Sequence, residues 1–385
     1  MERYLDSSIR KDLRKKLVLL TGPRQVGKTT LSQNLQREFP NSLYLNYDIP
    51  TDRQTILTQT WPLGAPLLVF DEIHKMPDWK LWLKGVFDGR TQIAGIPQQI
   101  LVTGSARMET FRQAGPSLAG RYFAWRLHPI SVREWCEHTQ KTPEEALTHL
   151  LVRGGFPEPA LAQSNEDAQR WRNEYFSDLI REDVLDFSRI QEINAMRLFA
   201  NTLRQRVGSP LSIASLARDM GASPKTLTRY LDILEALFIV FTVRPWSRNL
   251  TRATLLQPKV YFFDNGLVQG DEGTRFENLV ACHLLKHAQW QRDALGKQTE
   301  LYYLKTKDGK EVDFALSDES GIEPHLTHLI ECKWSDSKPH RALSAFSESQ
   351  PKALAIQLVR ELRHDRDFKD IHVHQAAPWL NTLEA

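Results

Sequence analysis

Gly22-Pro23-Arg24-Gln25-Val26-Gly27-Lys28-Thr29 follows the apolar run Leu17–Thr21 and opens a helix predicted over Thr30–Phe39. The stretch fits G-x-x-x-x-G-K-[ST] in the setting that gives this pattern meaning, a buried strand before it and a helix after it. Its glycines let backbone N–H groups curl around phosphates, and the helix N-terminus adds a positive dipole end. Lys28 is placed to reach the β- and γ-phosphates of a nucleotide, and the Thr29 hydroxyl to bind Mg²⁺. Residues Gly22 to Thr30 together are the expected nucleotide contacts.

Further along, Leu67-Leu68-Val69-Phe70 ends in Asp71-Glu72. A carboxylate at the C-terminal tip of a buried strand lies beside the phosphate loop, where Asp71 can hold Mg²⁺. Glu72 is then placed to orient and deprotonate an attacking water. The strand Gln99–Thr103 ends in Thr103-Gly104-Ser105, with Ser105 expected as the sensor of the γ-phosphate; an ordinary strand-end turn is the competing account. No Asn-Lys-x-Asp guanine-reading motif follows, which favours ATP over GTP.

Between Leu17 and Pro129, apolar strands (Leu17–Thr21, Ser42–Tyr47, Pro66–Phe70, Gln99–Thr103, Tyr122–Leu127) alternate with helical stretches. Such near-continuous apolar runs predict buried parallel strands, hence an α/β sheet covered on both faces. From Ser131 to Met196 the pattern turns helical, broken by a loop at Gly154-Gly155-Phe156-Pro157-Glu158-Pro159. Leu211–Phe238 reads as a helix-turn-helix: Ser212 and Ser223 cap its helices, Gly221-Ala222 turn, and Pro224 takes the first position of the second helix. Strands at Ile239–Val243 and Lys259–Phe263 follow, as a wing would. The remainder begins with a helix at Glu277–His287 and contains a hairpin, Leu301–Lys305 with Glu311–Leu316, turned at Asp308-Gly309.

A length of 385 residues calls for two or three domains, and 41% hydrophobic with 25% charged residues is ordinary for a globular chain. Apolar runs are too short for a membrane span, and the N-terminus lacks a secretory signal. The scattered Cys136, Cys282 and Cys332 show no metal-ligand spacing and fit a reducing cytoplasm. A formal charge of +3 does not by itself argue for nucleic acid.

Taken together, Gly22–Thr30, Asp71-Glu72-Ile73-His74-Lys75, Thr103-Gly104-Ser105, Ser117-Leu118-Ala119-Gly120-Arg121 and Leu127-His128-Pro129-Ile130-Ser131 resemble a widespread prokaryotic AAA+ family of ATP-binding proteins. Members carry a C-terminal domain of unknown function, marked here by Gly154–Glu158, Lys259–Leu267 and Phe276-Glu277-Asn278. The resemblance implies an α/β AAA+ P-loop ATPase core (residues 1–137), a helical lid (138–195), a winged helix-turn-helix (196–264) and an α/β restriction-endonuclease-like domain (265–385). It also implies an arginine supplied by a neighbouring subunit of a homo-oligomer, with Arg121 the first candidate and Arg107 the second; a surface ion pair is the plainer role for either.

In the tail, Ile330-Glu331-Cys332-Lys333-Trp334 reads as a strand with Glu331 and Lys333 on one face. Asp313 faces away from the apolar Val312, Phe314 and Leu316, and Glu277 lies on the preceding helix. Asp, Glu-x-Lys and a helical Glu are the parts of a PD-(D/E)xK nuclease site: Asp313 and Glu331 bind the metal, and Lys333 orients water. The motif's proline is replaced by Val312, and two strands with solvent-facing charge would look the same. On the helix-turn-helix, Lys225, Thr226, Thr228 and Arg229 suit contacts to DNA, or the motif is a packing module. Two functions are therefore expected to compete: an ATP-hydrolysing protein acting on DNA, and a nucleotide-controlled adaptor whose tail cuts nothing.

Overall fold

The computed structural model describes residues 1–93, 95–104, 118–180, 191–247 and 256–385. Contacts divide the chain into two compact units, Met1–His128 with Ala236–Phe238, and Pro129–Glu235 with Ile239–Ala385.

The first unit is a parallel sheet flanked by helices. Its strands are β1 (Leu17–Thr21), β2 (Leu43–Asn46) and β3 (Leu67–Asp71), a short hairpin of β4 (Gln92–Ile93) and β5 (Ile96–Pro97), then β6 (Gln99–Thr103) and β7 (Tyr122–Arg126). The sheet order is β2-β3-β6-β1-β7, with β4 and β5 paired apart from it. β1, β3 and β6 are buried along their whole length, as interior strands covered on both faces must be. Their side chains Leu17, Leu19, Leu68, Phe70, Ile100 and Val102 form a core with Ile56 and Leu83 from the helices Pro50–Thr58 and Trp79–Asp88. Asp71 is in register with Thr103 on β6 and Asn46 on β2, so the carboxyl ends of these strands lie side by side. The buried Arg3 donates to the Val26 carbonyl at 2.9 Å and the His128 carbonyl at 2.6 Å, tying the N-terminal segment to the phosphate loop.

The second unit begins with helices. Val132–Thr139 and Pro143–Arg153 each start on a capping box, Ser131 with Glu134 and Thr142 with Glu145. The loop expected at Gly154–Pro159 ends early, because Pro157 sits where a missing N–H costs nothing and opens a short helix, Pro157–Leu161. The helices Ile213–Asp219 and Pro224–Ala236 are separated by a turn at Gly221. Ser212 accepts from Ser215 N at 3.3 Å, and Ser223 from Thr226 N at 3.0 Å.

After them come β8 (Val240–Pro245), β9 (Lys259–Phe262), a long helix Glu272–Leu295, β10 (Thr299–Lys305), β11 (Glu311–Asp318) and β12 (His325–Lys333). Helix Arg341–Ser349, β13 (Leu354–Val359), β14 (Arg366–Phe368) and β15 (Ile371–Gln375) complete the unit with helix Ala376–Asn381. All eight strands form one sheet in the order β14-β15-β13-β12-β11-β10-β8-β9. β10, β11 and β12 run antiparallel to their neighbours in this trio, while β13 lies parallel to β12. β8 and β9, the expected wing, are the edge of this same sheet through a parallel pairing of Tyr302 with Arg244. Among the described residues no helix is long and apolar enough to cross a membrane.

Candidate functional site

The phosphate loop joins the end of β1 to the helix Lys28–Arg37. Gly22 has φ +147°, and a Cβ there would stand 2.4 Å from the Leu127 carbonyl oxygen, so the loop can pass this point only without a side chain. Gly27, left-handed at φ 102°, turns the chain into the helix. The buried Lys28 ammonium lies across its own loop, donating to the carbonyls of Gly22 at 3.0 Å and Pro23 at 2.6 Å. Thr29, in the first helical turn, donates its hydroxyl to Asp71 Oδ2 at 3.0 Å.

Asp71 is the centre of the arrangement. Thr29 and the Tyr44 phenol both donate to Oδ2. Oδ1 accepts the Thr103 hydroxyl and, at 3.0 Å, the Glu72 N–H. The three hydroxyl donors come from the first turn after the phosphate loop and from both strands flanking β3, and the N–H from the residue that follows Asp71. Burial, followed by the hydrogen bond to Asp71, pushes the Tyr44 phenol up, so it stays a donor at physiological pH. Glu72 is left-handed at φ 56°, an unusual conformation for a residue with a Cβ. Its Oε2 lies 3.6 Å from His74 Nδ1 and 3.7 Å from Lys75 Nζ, and Lys75 is itself bound to Asp48 at 2.5 Å. Burial first and the Asp71 charge second raise the Glu72 carboxyl above its ordinary range, which suits a proton acceptor.

Thr103 and Tyr44 are the residues that sequence reasoning passed over. A hydroxyl ending the buried run Ile100-Leu101-Val102 is a legible signal, and it stands two positions before the expected Ser105. Tyr44 had no signal, because its role depends on which strand lies beside β3. Ser105 and Arg107 lie outside the described residues. Arg121 adjoins the start of β7, in line with the start of β1 and thus at the end of the sheet away from the phosphate loop. It pairs with Asp88 through two bonds, 2.8 and 3.0 Å long.

In the second unit, Glu277, Asp313, Glu331 and Lys333 share one neighbourhood around a residue not expected there, Lys259. Its side chain is only 1% exposed, and Nζ lies 2.8 Å from Glu311 Oε1, 3.3 Å from Glu277 Oε1 and 3.6 Å from Asp313 Oδ1. Tyr261 donates to Glu277 at 2.7 Å. Gly208, at φ +74°, passes so near that a Cβ would stand 2.8 Å from Glu277 Oε1. Glu331, 2% exposed, sits 2.7 Å from Lys333 Nζ and 3.0 Å from His340 Nδ1. Two backbone bonds stitch the acids together, Asp313 N–H to Glu331 Oε2 at 3.4 Å and Cys332 N–H to Asp313 Oδ2 at 2.9 Å.

Burial and the Asp313 charge push Glu277 up to about 7 and Glu331 up to about 8. The three carboxylates around it hold Lys259 firmly protonated despite its burial. Among the described residues, no group of three or more His, Cys, Asp or Glu side chains is arranged to hold a metal ion.

Three family models match the chain: an AAA domain over residues 14–136, and domains of unknown function over 144–271 and 272–379. An uncharacterized protein of Mycobacterium tuberculosis is 30% identical over 305 residues, which cover 77% of this chain and 66% of that protein. The match therefore takes in slightly less than two thirds of that relative's length. An uncharacterized protein of Methanocaldococcus jannaschii is 23% identical over 340 residues, covering 79% of this chain and 73% of its own. Among solved structures, a Walker-type ATPase of Pyrococcus abyssi is similar at 13% identity and a TM-score of 0.41, over 68% of this chain and 93% of that one. The chain carries an AAA-type ATPase domain at residues 14–136, followed by two domains of unknown function.

Proposed function

We propose that the protein binds ATP with Mg²⁺ and hydrolyses it, using the loop Gly22–Thr30 for the phosphates and Glu72 for the attacking water. The observation that carries this is the bond between the Thr29 hydroxyl, in the first turn after the phosphate loop, and the strand-tip carboxylate of Asp71. A hydroxyl and a carboxylate are the hard oxygen donors that suit Mg²⁺, so these two residues fit the ion. Bound there, Mg²⁺ would neutralise phosphate charge. Lys28 supplies a second fixed positive charge to the β- and γ-phosphates, and Glu72 accepts the proton of the water it orients. Assembly into a homo-oligomer would let Arg121 or Arg107 of a neighbouring subunit add charge at the γ-phosphate. Measuring ATP turnover with and without Mg²⁺ tests the proposal; a protein that binds no nucleotide refutes it.

The same proposal has the hydrolysis act on DNA. The exposed Lys225, Thr228 and Arg229 on helix Pro224–Ala236 are suited to phosphate and base contacts. In the tail, the succession of a helix, three antiparallel strands, a helix and a parallel fourth strand supports a restriction-endonuclease-like reading. Asp313 and Glu331 are then the metal-binding acids, with Lys333 and Glu277 beside them.

A second reading is favoured by one specific observation. The Lys259 ammonium already sits among Glu277, Glu311 and Asp313, which suits an adaptor tail that holds a partner without metal-dependent cleavage. A panel of DNA and RNA substrates offered with Mg²⁺ or Mn²⁺, with and without ATP, separates the two. Cleavage lost in Asp313→Asn supports the nuclease, and no cleavage of any substrate supports the adaptor.

A further inference from the structure

A carboxylate offers about four lone-pair directions, and at Asp71 all of them meet a donor. Thr103 and the Glu72 N–H hold Oδ1, one from β6 and the other from the chain itself, so the carboxylate cannot turn about its own axis. Oδ2 is shared by the hydroxyls of Thr29 and Tyr44. The two are not equivalent. Thr29 is solvent-exposed, with a hydroxyl that swings to suit its surroundings. Tyr44 is part of β2, locked to β3 by the ladder that pairs Tyr44 with Val69 and Asn46 with Asp71. Its phenol sits at the end of a rigid ring and must donate, because an ionised carboxylate only accepts.

We infer that Tyr44 is a positioning residue for the magnesium-binding side of the nucleotide site: it holds Asp71 Oδ2 where the Thr29 hydroxyl can donate a hydrogen bond to it and turn its own lone pairs toward the ion. This rests on the ATP·Mg²⁺ reading and extends it to the edge strand. Removing the phenol oxygen frees one direction on Oδ2, lets water or a rotated Thr29 take it, and blurs the position of the metal-facing oxygens. The phosphates themselves should notice little, because Lys28 and the loop N–H groups bind them without Tyr44.

The test uses the full chain with a fluorescent ADP analogue, titrated first in EDTA and then with MgCl₂. Tyr44→Phe keeps the ring and loses only the hydroxyl. Its nucleotide affinity in EDTA should stay within about two-fold of wild type, while the Mg²⁺ midpoint rises about ten-fold, the scale of one hydrogen bond to a charged group. Tyr47→Phe, whose ring faces Arg53 rather than Asp71, should leave the midpoint unchanged. An unaltered Mg²⁺ midpoint in Tyr44→Phe overturns the inference. So does an equal loss of affinity in EDTA and in Mg²⁺, which would make Tyr44 a packing residue only. Failure of the wild type to bind the analogue under any condition refutes the nucleotide reading instead.

Discussion

The Thr103 hydroxyl donates to Oδ1 of Asp71 across two adjoining parallel strands, although 32 residues separate them in the chain. The contact exists because β6 is inserted between β1 and β3, which brings its last residue level with the strand-tip acid. Thr103→Val keeps the β-branched shape and removes the donor, leaving a buried carboxylate short of one bond. Such a bond is worth about 1.5–3 kcal/mol, so ATP turnover should fall roughly 10- to 100-fold. Nucleotide affinity, measured by calorimetry, should hardly move; normal turnover would leave Thr103 as a mere packing residue.

Lys28→Ala should abolish tight ATP binding, because it removes the side-chain charge that the pattern places at the β- and γ-phosphates. Calorimetry that returned wild-type affinity for this variant would remove the basis of the phosphate-loop assignment.

Glu72→Gln keeps the shape of the side chain but cannot take a proton from water. ATP and Mg²⁺ binding should persist while hydrolysis drops about 10²- to 10⁴-fold, the usual contribution of a general base. Single-turnover measurements on the preformed complex check this, and an undiminished rate would move the base elsewhere.

Lys259→Met removes the buried ammonium that Glu277, Glu311 and Asp313 share, with Lys305 still on Glu311. Breaking a buried charge cluster this way costs about 3–5 kcal/mol, so the melting temperature should fall by several degrees or more. Mn²⁺ should recover part of that loss in the variant and do less for the wild type, whose ammonium already holds the place. A variant that melts like the wild type would show that the ammonium contributes nothing net.

Glu277 and Glu331 have folded-state values of about 7 and about 8, above the ordinary 4.5, so the folded protein holds protons that the unfolded chain releases. Their contribution to stability is complete below pH 4.5 and is lost as the pH rises through 7 to 8. Hydrogen exchange in β11 and β12, without divalent metal, should therefore quicken from about pH 5 to pH 8 beyond the intrinsic base-catalysed trend. Glu331→Gln should remove much of that excess. Equal corrected protection across the range would contradict the burial of these acids.

What the sequence alone determined was local. The run Leu17–Thr21, the glycines at 22 and 27, and the helix after them specify a phosphate loop, because strand burial, tight turns and helix N-termini are all written within about twenty residues. Asp71-Glu72 at the end of an apolar run, and the alternation placing Asp313 and Glu331 off the apolar face, were legible for the same reason. The tertiary structure alone decided the neighbours. Strand order put Thr103 and Tyr44 on Asp71, and one sheet carried Lys259 from β9 into the acids of the long helix and β11. Local patterns set which face a residue takes, but pairing between distant strands is chosen by the packing of the whole core, and no spacing in the chain encodes it.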